Sequence, residues 1–135
     1  MRDIQNEIYE LFLRDEYISE HIDDRIFQDE YPEHEAITHP YLILSEIDEP
    51  IPREYGSNKY MALDYLVQID VYVPESQNYD GYTLCRDLSY YISKILREQL
   101  NLSHSGSSRP EYDKDFKIYR RARRFEGVFY LEEYK

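Results

Sequence analysis

Ile4, Ile8, Leu11 and Phe12 recur at spacings of three and four, a pattern that predicts a helix over about residues 2–14 with one apolar face. Acidic residues in its first turns suit the positive end of the helix dipole. Ile18, Ile22, Ile26 and Phe27 follow among charged residues, and their spacing fits a short helix or a short strand equally well. The polar stretch 28–39 (QDEYPEHEAITH) contains Pro32 and is followed by Pro40, so it reads as a loop.

Residues 41–47 (YLILSEI) predict a strand closed by Asp48, Glu49, Pro50 and Pro52, followed by a projecting loop to Asn58. The strongest β pattern lies at 60–73 (YMALDYLVQIDVYV). There Tyr65, Val67, Ile69, Val71 and Val73 share one face, and Asp64, Gln68, Asp70 and Tyr72 lie on the other. Asp80 is the expected N-cap of a second long helix, to about Leu100, with Leu84, Leu88, Tyr91, Ile92, Ile95 and Leu96 as its apolar stripe. Residues 103–109 (SHSGSSR) read as a mobile loop that orders only on assembly. From Asp115 to Leu131 alternation returns, as one long strand or a hairpin, with a break or bulge expected near Gly127.

This order predicts one α+β domain over residues 1–135. Its expected architecture is a mostly antiparallel or mixed sheet of about four strands with two main helices packed on one face.

Charge changes the picture more than composition does. Residues 1–56 hold sixteen Asp and Glu against four Arg, which accounts for the whole formal net charge of −12. The remainder is balanced, but Lys114, Lys117, Arg120, Arg121, Arg123 and Arg124 crowd into eleven positions near its end. An acidic portion and a basic strand on one small protein can attract further copies head to tail, or neighbours of opposite charge. Sixteen Tyr supply side chains that suit surfaces wet in one state and covered in another. The single cysteine, Cys85, falls in an apolar helical register and is expected to be a buried, inert thiol. The chain has no run of eighteen apolar residues and no basic-then-apolar leader, so a protein of the reducing cytoplasm, with no membrane partner, is expected.

With these elements in place, the chain resembles the tail-terminator (tail-completion, head–tail joining) proteins of long-tailed, non-contractile bacteriophages. The segments that carry the resemblance are 24–27 (DRIF), Pro32-Glu33, 40–44 (PYLIL), 68–73 (QIDVYV) and 119–127 (YRRARRFEG). Their order and spacing extend from about residue 4 to residue 131. The resemblance implies a structural virion protein without catalytic residues or cofactors. Its copies would form a ring, usually a hexamer, on the last ring of tail-tube protein. The ring would stop tube growth and present a surface to a head-completion or neck protein, with genomic DNA only passing through its hole. The implied location is the tail–head junction of the virion, reached from the host cytoplasm during assembly.

The candidate interface residues are Tyr119, Arg120, Arg121, Arg123, Arg124 and Phe125 on the basic strand, with Glu54, Tyr55, Ser105 and Arg109 on two loops. On a strand, Arg120, Ala122 and Arg124 share one face and Tyr119, Arg121, Arg123 and Phe125 the other. Cations on both faces fit a salt-bridged contact between subunits. They fit less well an internal pairing with Asp64 and Asp70, and least well nucleic-acid contact, since the sequence pI of about 4.7 is far from that of a basic domain.

Three other functions compete with the terminator reading. Another neck or head-completion protein of the same virion is the nearest. An acidic protein that imitates DNA fits the first third of the chain. A magnesium-dependent nuclease would use Asp64 and Asp70. His34, Glu33, Glu35 and His39 lack the i, i+4 spacing of a helical zinc motif and read as a solvated acidic loop.

Overall fold

The computed structural model describes residues 3–32, 37–54 and 61–130, with side chains placed over 3–32, 37–47 and 64–129. The opening periodicity produces two helices. In α1 (Ile4–Arg14) the Asp3 carboxylate accepts from Asn6 N at 3.0 Å, and in α2 (Glu16–Ile22) Asp15 Oδ1 accepts from Ile18 N at 3.0 Å. Asp15 also ends α1, its own N–H donating to the Leu11 carbonyl. The ambiguous stretch that follows is both things at once. Ile18 and Ile22 belong to α2, while Ile26 opens a three-residue strand, β1 (Ile26–Gln28).

The remaining elements are β2 (Tyr41–Glu54), β3 (Met61–Pro74), α3 (Gly81–Leu100), β4 (Ser103–Ser107), β5 (Glu111–Asp113) and β6 (Ile118–Tyr130). The sheet runs in the order β1-β2-β3-β6-β4, with β5 also on β6. Among the described residues only the β1–β2 pair is parallel, so the sheet is mixed. Among the described residues the α+β class holds with six strands and three helices, where about four and two are expected from the sequence.

The extra elements come from segments the sequence presents as loops. β2 continues past Asp48 to Glu54, shifting register between Glu46 and Asp48 and again between Asp48 and Ile51. Bulges of this kind accommodate Pro50 and Pro52 while pairing persists. Residues 103–107 are likewise an edge strand in the chain alone, bonded to β6 across a shift between His104 and Gly106. The Ser108 amide donates to the Ala122 carbonyl at 3.1 Å. The expectation of a loop that waits for assembly to order it is therefore corrected. A polar, Ser-rich sequence reads as mobile by composition, but the neighbouring strand supplies a backbone template that composition does not reveal.

Two details of the later elements also depart from expectation. β6 pairs with β3 in unbroken register through Tyr65↔Gly127, so no bulge occurs there. Gly127 serves instead for close packing: a Cβ would meet Leu102 Cδ2 at 2.9 Å. Asp80 precedes α3, but its side chain caps no backbone N–H, accepting instead from Thr83 Oγ1 at 2.6 Å. At the other end Asn101 adopts the left-handed conformation and Leu102 N bonds to Leu96 O at 3.1 Å, closing the helix.

The alternation in β3 holds as read. Tyr65, Val67, Ile69, Val71 and Val73 join Ile4, Ile8, Phe12, Ile18, Ile22, Leu88, Ile92 and Leu96 in one core, so all three helices lie on the same side of the sheet. On the opposite face a smaller cluster forms from Tyr41, Ile43, Tyr72 and Ile118, with the rings of Tyr41 and Tyr72 stacked at 4.8 Å. That second face continues toward β6 as a polar surface.

Candidate functional site

The polar surface begins with Asp70. Its neighbours in β3, Ile69 and Val71, must face the core, so Asp70 faces the side without helices, where it is nevertheless fully buried. A buried carboxylate is tolerated only when it is paired and hydrogen-bonded. Arg120, two positions away across the β3–β6 ladder, supplies Nε at 3.0 Å and Nη2 at 2.7 Å, both to Asp70 Oδ2. Gln68 Nε2 donates to Oδ1 at 2.8 Å, and Arg124 Nε donates to Gln68 Oε1 at 3.2 Å. On the outer side Arg120 Nη1 lies 3.1 Å from Glu111 Oε2. The result is a continuous ladder from Glu111 through Arg120, Asp70 and Gln68 to Arg124.

Burial alone works against the Arg120 charge, but the hydrogen bonds and attraction of Asp70 outweigh it and hold the guanidinium above its ordinary range. Tyr72 is raised chiefly by burial, opposed by Arg120. Arg120 is thus fixed in charge and geometry by its pairing with Asp70 within the chain. Two open basins flank it on the helix-free face. One, of about 690 Å³, is lined by residues including Tyr72, Glu111, Lys114 and Ile118. The other, of about 540 Å³, is lined by residues including Gln68, Ser105, Ser107, Ala122 and Arg124.

The cations on the opposite face of β6 find tyrosines and a serine. Arg123 Nε donates to the buried Ser89 Oγ at 2.7 Å, and its guanidinium sits 4.5 Å from the centre of the Tyr90 ring. Arg121 lies 5.4 Å from the Tyr82 ring. Tyr119 packs against Tyr112 at 4.6 Å and edge-on to Tyr82 at 6.1 Å. Cys85 lies just beneath; burial, its largest cause, pushes its thiol up to about 12, against the opposing influence of Arg121.

The proposed interface residues therefore separate. Arg124, Ser105 and Arg109 are exposed, Arg121 and Arg123 are half-buried against α3, and Arg120 is engaged internally. Phe125 is corrected: it is fully buried in the main core and offers nothing to a partner. Glu54 lies in β2, but its side chain is outside the described residues, as is the whole of Tyr55. Glu33, His34 and Glu35 are also outside them, while His39 is exposed. Asp64 and Asp70 are six residues apart on one strand, about 20 Å along it, so they are not brought together as ligands of one metal. Among the described residues no three His, Cys, Asp or Glu converge on a possible metal site.

Sequence reasoning names neither Tyr82, Ser89 and Tyr90 on α3 nor Gln68 and Glu111 as partners of the arginines. The only signal available for the helical tyrosines is their position outside the apolar stripe of α3. Compared with known protein families and with curated proteins, the chain matches none.

Proposed function

We propose that this protein is a structural subunit of a long-tailed, non-contractile bacteriophage that caps the tail tube as a ring and forms the surface to which the head joins. The observation that carries the reading is the helix-free face of the sheet, where the ladder from Glu111 to Arg124 fixes polar groups in place between two open basins. Side chains locked by mutual hydrogen bonds lose little entropy when a partner covers them. They sit on sheet strands, which hold a binding surface more rigidly than loops do. The order of segments from Asp24 to Gly127 and the separation of acidic from basic residues support the same reading.

In this role the protein works by assembly. Each contact between copies is weak alone and gains from ring closure on the tube. DNA would cross a lumen whose sign is set by the acid-rich first third, which discourages phosphate from sticking. Titrating the purified protein into polymerising tail-tube protein tests the proposal. Tubes should become shorter and capped in proportion to added protein, and an unaltered length distribution would count against it.

A further inference from the structure

α3 has two unlike flanks. Tyr82, Arg86, Tyr90 and Arg97 recur at three- or four-residue steps or their sums, so they share one side, over β6. Asp87, Tyr91 and Glu98 share the other side, where Tyr91 stacks on Tyr17 at 4.7 Å and donates to Asp15 Oδ2 at 2.6 Å. The acids of α3 thus lie on the side of α2, with Lys94 among them by the same spacing, while Arg86 and Arg97 lie on the other flank. The sheet repeats this polarity. α1 packs over β2 next to the β1 edge, while the cationic flank lies over β6 at the β4 edge. The acid-rich first helix and the cationic flank of α3 therefore lie toward opposite edges of the sheet.

We propose that the flank formed by Tyr82, Arg86, Tyr90 and Arg97, with Arg121 and Arg123 beneath it, docks the α2 end of a second copy of this chain. The inference deepens the ring-forming reading and rests on it for its purpose, but the contact itself is defined by charge and position.

Tyr82 and Tyr90 are about half exposed, at 48% and 54%, so each offers an open aromatic face while an arginine stacks on it. Such pairs combine apolar area with fixed positive charge, the composition enriched at the centres of protein interfaces. Among the described residues Arg86 pairs with the neighbouring Asp87 at 3.1 Å, both side chains partly open to solvent, a pairing weak enough to be exchanged. The complementary surface is present on the same molecule. Glu16 and Glu20 lie one turn apart on the outer face of α2, and Asp23 and Asp24 follow in its terminal turn, all four exposed. Two complementary patches at opposite ends of one subunit make a heterologous contact, which propagates head to tail and closes where the rotation permits.

Replacing Tyr90 with a benzophenone amino acid in the full-length chain tests this at low ionic strength and high protein concentration. Irradiation should give a ladder of adducts between copies that map to residues 15–24 and disappear in high salt. The variants R86E/R97E and E16K/E20K, each verified as folded by circular dichroism, should each lose the ladder. Mixing the two should restore it, because each supplies the charge the other has lost. Adducts mapping elsewhere, no adducts at any concentration of the parent protein, or failure of the mixture to recover them would overturn the proposal. So would a single-stranded oligonucleotide that binds in their place and is released by R86E/R97E. None of these outcomes bears on tail length, so this contact and the capping role can fail independently.

Discussion

Arg120 directs two nitrogens, at 3.0 and 2.7 Å, onto a single oxygen of the fully buried Asp70. The pair joins β3 to β6 on the face that carries no helix, and it turns one arginine of the basic run inward. Removing Arg120 leaves the Asp70 charge uncompensated in a dry site, which costs about 3–5 kcal/mol. Arg120→Leu should lower stability by that order in urea unfolding, and Asp70→Leu by less, because Arg120 keeps Glu111 at 3.1 Å and reaches solvent. The double replacement should recover much of the loss, since well-packed apolar residues often replace a buried ion pair at little cost. Additive losses in the double variant would show that the pair is not coupled.

The two outer arginines of the run should behave differently. Arg123 satisfies the buried hydroxyl of Ser89 and stacks on Tyr90, so Arg123→Ala should destabilise by about 1–3 kcal/mol, the cost of an orphaned polar group. Arg124 is exposed and, among the described residues, bonded to Gln68, so Arg124→Ala should stay within about 0.5 kcal/mol. Urea midpoints of the two variants compared with the parent check this directly. Equal effects would contradict the inward role assigned to Arg123.

Stability should fall at alkaline pH. The Cys85 thiol is raised from 9.0 to about 12 by burial, and Tyr91 from 10.0 to about 12, first by its hydrogen bond to Asp15 and then by burial. Groups raised in the folded state hold their protons there after the unfolded chain has released them. Their contribution is therefore complete below about pH 9 and is lost progressively up to about pH 12. For Cys85 the slope in that window approaches about 1.4 kcal/mol per pH unit. Unfolding free energies measured from pH 8 to 11 should fall less steeply in Cys85→Ala than in the parent. Parallel slopes would mean the thiol is ionised in the native protein.

The regular parts of this fold are legible in the sequence because their patterns are strong. The stripe from Leu84 to Leu96 places α3, and alternation from Tyr65 to Val73 assigns both faces of β3 correctly. Residues 103–107 are not legible, because an edge strand of serines and glycine owes its form to hydrogen bonds with β6 rather than to any apolar pattern. At the candidate surface, alternation assigns Arg120 and Arg124 to one face and Arg121 and Arg123 to the other. It cannot say what meets them. Asp70 and Gln68 lie across the ladder, and Ser89, Tyr82 and Tyr90 come from a helix some thirty residues earlier, so both sets depend on register and packing. Phe125 shows the converse: its alternation fixes its face, but the core it enters is set by tertiary structure.

The capping role is tested most directly by the lengths of tails in particles assembled without this protein, seen by electron microscopy of lysates. The account predicts tails beyond the normal length, unattached to heads, alongside filled heads without tails, and restoration of uniform length when the protein is resupplied. Infectious particles with tails of normal length in its absence would contradict it.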